Sequence, residues 1–320
     1  MDSNNPIHSG WLLLLLFVLA PFFAEAVASS NTPFISFVNP LVFISLALLY
    51  GSSAILLREI LVRKSYSTLH MLLFGAAFAI LNEGVVAASW FRTKVNGYTF
   101  ASLTRAGGVN WHLVVGLVIF HSLFSLLLPI LLVNSSFSLG AYKPLLKTRG
   151  YIFFTVLLCI PLFGSLVPSA KTGHHLPAYF AYRVTVLLIA LAIIGLGLIL
   201  PAKNLALRRI EKLSNKIFWA GFLFSLVYWA LLFLLARSYP LISTLLLLAL
   251  YIGFAVLIKP VLEQVQNSPG RLILLTAGLI LLPAAASLLK TSELQPLAIL
   301  IFGCYLIFLH IKTKRQTQIV

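Results

Sequence analysis

The sequence predicts an all-α fold, a polytopic bundle of about ten transmembrane helices with both termini in the cytoplasm. Three observations carry this prediction. Of the 320 residues, 60% are apolar and only 9% are charged, against about 25% charged in an average soluble domain. That deficit excludes a soluble globular domain and a disordered chain alike. The apolar residues fall into ten runs, each near the roughly 20 residues a helix needs to cross about 30 Å of hydrocarbon. The cations between the runs, finally, are unevenly shared between the two sides.

The runs lie near 11–29, 41–61, 69–91, 111–133, 151–168, 179–200, 217–236, 239–258, 271–289 and 294–311. With the N-terminus inside, the inner connections collect sixteen cations: Arg58, Arg63, Lys64, Lys143, Lys147, Arg149, Lys203, Arg208, Arg209, Lys212, Lys216, Lys259, Arg271, Lys312, Lys314 and Arg315. The outer ones hold seven: Arg92, Lys94, Arg105, Lys171, Arg183, Arg237 and Lys290. This is the positive-inside bias that orients membrane proteins. The net charge of +16 is therefore a topology signal, with the bilayer and its anionic head groups as partners and no nucleic acid implied. Trp11 and Trp219 at inner ends and Trp90 and Trp111 around one outer loop occupy the interfacial positions indoles prefer.

The first run ends in Ala24-Glu25-Ala26-Val27-Ala28, which has the look of a signal-peptide cleavage site. The segment before it carries Asp2 and no Lys or Arg, against the positive charge such a peptide needs. It is expected to stay as a helix; cleavage would leave nine spans in the same orientation. Cys159 and Cys304 lie alone in different runs, with no Cys-x-x-Cys pair, so neither a disulfide framework nor a metal site is implied. No cofactor is indicated. Asn134-Ser135-Ser136 has the form of a glycosylation triplet but falls on the inner side.

The seven acids are Asp2, Glu25, Glu59, Glu83, Glu211, Glu263 and Glu293. Only Glu25, Glu59 and Glu83 lie within apolar runs, where a charged side chain costs about 2.5–3.5 kcal/mol at mid-bilayer and normally faces the protein interior with a partner. Glu83 is the deepest, fourteen residues into a run of twenty-three. Gly75, Ala79 and Ala87 share its face at four-residue spacing, which predicts a close helix contact with Asn82 beside it. His121, near the middle of the next run, is its expected partner, with Ser125 one turn on. His112 lies nine residues back, half a turn off, so the two histidines do not converge.

Arg58 and Glu59 point about 100° apart on a helix, which predicts two snorkelling groups, or one inward and one at the surface, rather than an internal pair. Glu25 follows Pro21 by four residues, and that proline permits a kink. By depth the acids run outer (Glu25), middle (Glu83 with His121) and inner (Glu59), an order that suits a proton or cation path with Glu25 and Glu59 as gates. The outer loop 92–110, with Arg92, Lys94 and Arg105, is either a connector or a lid for an anionic group, hinged at Gly107-Gly108. His174-His175 is weak evidence for a metal.

All intramembrane acids precede residue 136, and the second half shows no repeat of the first. The chain is thus read as an N-terminal module, 1–135, carrying the polar residues, and an apolar supporting bundle, 136–320.

Glu25 with Ser29-Ser30, Asn39-Pro40, Tyr50-Gly51, Arg58-Glu59, Gly75-Ala76-Ala77-Phe78, Asn82-Glu83-Gly84, Gly108-Val109-Asn110-Trp111 and Phe120-His121 resemble a group of uncharacterised prokaryotic multi-pass proteins over roughly residues 20–135. That likeness implies a retained first helix and the plasma (inner) membrane of a prokaryote, and brings no activity with it. A fainter similarity is to the CPBP (CaaX-processing and bacteriocin-processing) intramembrane protease family, which pairs adjacent acids with His or Asn on other helices. Here the acids are replaced by Asn82-Glu83, Val86 or Ala87 stands where that family has Arg, and Phe120 directly precedes His121.

Three functions remain in view. A transporter or permeation pathway would use Glu83, His121 and Asn82 as a protonatable site for an unidentified small molecule or ion. A glutamate-dependent intramembrane hydrolase would use Glu83 to activate a water beside His121. A non-catalytic assembly or lipid-interacting protein would use the acids for packing alone.

Overall fold

The computed structural model describes residues 6–29, 37, 39–65, 67–91, 94–95, 98–99, 104–136, 143–166, 177–202, 216–266, 269–288 and 295–317. Seven helices among them are long and apolar enough to cross a membrane: α1 (Gly10–Ala28), α2 (Pro40–Arg63), α3 (Leu69–Val86), α4 (Trp111–Ser136), α5 (Thr148–Leu166), α6 (Phe180–Ile199) and α7 (Ile217–Ser238). Three further apolar helices follow, α8 (Pro240–Gln266), α9 (Pro269–Leu288) and α10 (Gln295–Thr317). The fold is an all-α polytopic bundle whose helices fall on the apolar runs of the sequence.

Local chemistry sets several boundaries. Asn39 caps α2, its Oδ1 accepting the Leu41 N–H at 3.0 Å, and Pro40 at the first helical position loses no bond because its N–H would have been unpaired there. Asn110 does the same for α4, accepting from Leu113 N at 3.3 Å. Pro21 lies inside the first helix, and the chain passes directly from α-helical to π-helical winding after it.

The core is centred on α4. Every residue from Ile119 to Asn134 is buried. Leu12, Leu16 and Phe23 of α1, Ile55 and Leu61 of α2, and Phe74 and Phe78 of α3 join it in one hydrophobic cluster. By contrast α5 and α6 show most of their surface: Ile152, Phe153, Val156, Leu188 and Leu191 are exposed, as expected of side chains that face lipid tails.

The later helices belong to the same cluster through Tyr228, Leu232, Leu247, Leu272 and Phe302. Their support is also polar. Tyr228 donates to Gly116 O at 3.0 Å, Tyr251 to Leu72 O at 3.0 Å, and Lys312 to Ser136 O. His112 faces away from the site residues, with Leu232 O and Thr244 Oγ1 each 3.0 Å from a ring nitrogen. A tight crossing joins α7 to α9, where a Cβ on Gly278 would stand 2.2 Å from Phe218 O.

Three expectations near the 92–110 connection are corrected. The helix of Glu83 ends at Val86 rather than 91, so Glu83 stands close to the end of its span and not halfway along it. The cause is local: a π turn at Ile80–Val86, then Ala88 in the left-handed region (φ 52°), then a 3₁₀ turn at Ser89–Phe91. Trp90 is buried, not an interfacial anchor, because that turn folds it inward, whereas Trp111 stays exposed. Gly107-Gly108 is a tight turn and not a hinge. With φ of 60° and 79° the pair joins β3 (Arg105–Ala106) to β4 (Val109–Asn110), as a two-residue hairpin turn with positive φ at both central positions requires. A second short ladder pairs β1 (Lys94–Val95) with β2 (Tyr98–Thr99). The side chains of Arg92 and Lys94, and His174-His175, lie outside the described residues.

Candidate functional site

Four of the helices change winding where the polar residues stand. Glu25 lies on the π turn Phe22–Ser29, Tyr50 on Ala47–Gly51, Asn82 and Glu83 on Ile80–Val86, and His121 and Ser125 on His121–Leu127. The five-residue hydrogen bonds that define such turns are present: Ser52 N to Ala47 O, Ala87 N to Asn82 O and Leu128 N to Leu123 O. A π turn wedges an extra residue into the helix and re-aims the side chains around it. It is rare, and it is frequent at functional sites.

Tight packing brings these turns together. A Cβ on Gly75 would stand 2.2 Å from Ser122 Oγ, and one on Gly51 would stand 2.4 Å from Phe17 O, so α3 meets α4 and α2 meets α1 at backbone range. The row Gly75, Ala79, Glu83 thus leans on α4. His121 Nε2 lies 3.0 Å from Glu83 Oε1, and its Nδ1 lies 2.9 Å from Ser125 Oγ. Asn82 Nδ2 donates to Glu83 Oε1 at 3.2 Å and to Tyr50 Oη at 2.8 Å. Tyr50 in turn donates to Glu25 Oε1, and Ser89 donates to Glu83 Oε2.

Glu25, Tyr50, Asn82, Glu83, His121 and Ser125 therefore form one connected polar network drawn from four helices. His121 is almost fully buried, while the Glu83 side chain keeps 14% of its surface accessible. Phe78 and Phe120 stand edge-on to the His121 ring and supply apolar walls. Glu83 is neither turned out to lipid nor held by a single backbone carbonyl; three donor-bearing side chains converge on its carboxylate.

Arg58 and Glu59 are elsewhere, and they correct the snorkelling expectation. Both are buried and ion-paired, with 1% and 0% of their side chains exposed. The 100° offset is overcome by the length of the arginine, which also donates from Nε to Asn134 Oδ1 at 2.9 Å. Glu59 Oε2 accepts the backbone N–H groups of Leu145 and Leu146 at 2.8 and 2.9 Å, just ahead of α5. The pair is a brace joining α2, α4 and the entry to α5. None of these bonds reaches Glu25, Glu83 or His121.

A model of an uncharacterised membrane protein family matches residues 14–312. The chain belongs to that family. The match runs far beyond the stretch 20–135 that carries the resemblance read from sequence, so helices of both halves are part of what the family shares. No curated protein and no solved structure matches the chain.

Within this family member, sequence reasoning missed Tyr50 and Ser89 as site residues. Tyr50 carries no formal charge and so escapes a search for intramembrane ions, although an aromatic hydroxyl inside an apolar run asks for a partner when buried. Ser89 reaches Glu83 only because Ala88 adopts a left-handed conformation, for which no residue pattern gave a signal.

Proposed function

We propose that this integral membrane protein is a proton-coupled transporter or permeation pathway, with Glu83 and His121 as its protonatable site and the plasma membrane of a prokaryote as its location. The observation that supports this reading is the direct 3.0 Å contact between Glu83 and His121 inside a network that continues through Asn82 and Tyr50 to Glu25. A carboxylate and an imidazole at this distance exchange one proton without a change of partners. The Glu83 side chain keeps 14% of its surface accessible, and in this reading that face is where the proton leaves. Glu25 is a second station on the same network. Glu59, read from sequence as an inner gate, acts in this reading with Arg58 as a fixed brace. Exposed Arg63, Lys143, Lys147 and Arg149 at the end read as cytoplasmic meet anionic lipid head groups.

The test needs no identified substrate. Proteoliposomes adsorbed on a solid-supported membrane and given a pH jump should show a transient proton-binding current in the wild type. Glu83→Gln should abolish it and His121→Gln should reduce it severalfold. An unchanged current in Glu83→Gln would remove the proposal.

A second reading, the glutamate-dependent hydrolase, draws on the same contact, since a carboxylate held directly against an imidazole is the pair such an enzyme would use to activate a water entering beside them. It predicts hydrolysis of a membrane-embedded peptide or ester by the wild type and none by Glu83→Gln.

A further inference from the structure

Resting on the reading that Glu83 and His121 load one proton between them, we infer that Ser125 is the positioning residue of that pair. Its hydroxyl receives the far side of the imidazole whenever the pair is loaded, and so sets how readily the pair takes up a proton. Ser125 Oγ lies 2.9 Å from His121 Nδ1, while Nε2 lies 3.0 Å from Glu83 Oε1. The two ring nitrogens thus have separate partners.

Local winding leaves the hydroxyl free for this role. Ser135 and Ser136, on the regular α-helical end of α4, both turn back to Leu132 O at 2.8 Å, the usual bond of a helical serine. Ser125 stands on the π turn His121–Leu127, and among the described residues its Oγ has His121 Nδ1 as its only hydrogen-bond partner. Ser125 is fully buried and His121 nearly so. The rings of Phe78 and Phe120 that flank the imidazole offer no acceptor, so neither of them stands in for the hydroxyl.

Proton counting shows what the hydroxyl must do. A proton shared across the Glu83–His121 contact sits either on Nε2, opposite a carboxylate, or on Glu83, opposite a bare Nε2. In the first form the ring is an imidazolium with hydrogen on both nitrogens. In the second it is neutral, with its one hydrogen on Nδ1. Passing from the first to the second breaks the Nε2–H bond as an O–H bond forms on Glu83, and the Nδ1–H bond persists in both. The loaded pair therefore presents an N–H at Nδ1, and Ser125 accepts it. Once a proton has returned to water one ring hydrogen remains; where that leaves Nδ1 bare, the same hydroxyl turns and donates, since a hydroxyl does either. A hydrogen bond from a charged ring is roughly twice as strong as one between neutral groups, so the hydroxyl favours the loaded form.

The titratable groups around the pair come from three other helices. Tyr50 of α2 has its ring centroid 6.0 Å from that of His121, Glu25 of α1 stands behind Tyr50, and Tyr228 of α7 lies within electrostatic reach of Glu83. Tyrosines ordinarily titrate near pH 10, roughly, so Glu25 is the neighbour to control for near neutrality.

The experiment is solid-state nitrogen-15 NMR of the reconstituted protein with labelled histidine rings, titrated in steps of pH. Of the seven histidines, His121 is identified by the signals missing from His121→Gln. In the wild type Nδ1 should carry a hydrogen in the loaded form. S125A should load only at a pH lower by about one unit or more, because it leaves a buried N–H unmet. S125T, which keeps the hydroxyl, should load like the wild type, and S125V, its match in shape, like S125A; a repeat in E25Q keeps that carboxylate out of the midpoint. A role in packing alone would lower the yield of assembled protein and leave the midpoint in place. A bare Nδ1 throughout the wild-type titration, or an S125A midpoint equal to or above that of the wild type, overturns the inference, and these two proteins decide it even where the larger side chains do not fit. NMR reads protonation and not transport. If Glu83→Gln leaves the pH-jump current unchanged while the His121 midpoint follows Ser125, the transport reading falls and the assignment of Ser125 stands. If Glu83→Gln abolishes the current and S125A keeps the wild-type midpoint, the reverse holds.

Discussion

At the scale of single residues, the network and the brace make opposite demands. Glu59 and Arg58 are buried with their charges matched, so removing one partner strands the other. Glu59→Gln or Arg58→Gln should each cost about 3–5 kcal/mol, whereas a paired apolar replacement of both should cost less than the two singles together. Denaturant titration of the purified protein in mixed micelles checks this; additive losses would mean the pair does not act as a unit. Tyr50→Phe removes one hydroxyl that both donates and accepts, and should cost about 1–3 kcal/mol by leaving Asn82 short of an acceptor. The acids and His121 were legible in the sequence because charge in an apolar run is conspicuous. The fate of Arg58 and Glu59 was not, since angular position on a helix says nothing about how far a long side chain reaches or which backbone N–H groups a distant loop presents.

At the scale of elements, the π turns and the helix end at Ala88 set the geometry. Hydrophobic periodicity located the helices but assumes regular winding, so it ran α3 on to residue 91 and left the re-aimed side chains at four turns unread. Ala88 holds a positive φ that disfavours a residue with a Cβ. Ala88→Gly should therefore stabilise the protein by about 1 kcal/mol, and Ala88→Ile should destabilise it and detach Ser89 from Glu83. Gly84 is the contact that lets α6 lie over the Glu83 turn, because a Cβ there would stand 2.5 Å from Val186 Cγ1. Gly84→Val should cost about 1–3 kcal/mol by forcing α6 outward. Thermal stability read by size-exclusion chromatography after heating tests all three; a neutral Gly84→Val would show that α6 yields freely.

For the whole molecule, composition alone was enough to read a helical membrane bundle, and the family match over residues 14–312 agrees with it. The arrangement was harder to read. The second half looked like plain apolar support, yet Tyr228 and Tyr251 reach carbonyls of α4 and α3, contacts that depend on which helices lie side by side. The cation bias predicts the orientation. A single cysteine at Lys147, in a chain with Cys159 and Cys304 replaced, should react with a membrane-impermeant maleimide only from the inside, and one at Gly107 only from the outside; the reverse pattern would invert the topology. The central claim, that Glu83 and His121 exchange a proton with water from within the bundle, is tested most directly by infrared difference spectra of the reconstituted protein as the pH is stepped through neutrality. A protonated-carboxyl band that titrates in the wild type, vanishes in Glu83→Gln and survives Glu59→Gln is the predicted result. A band indifferent to pH, or one that persists without Glu83, would contradict it.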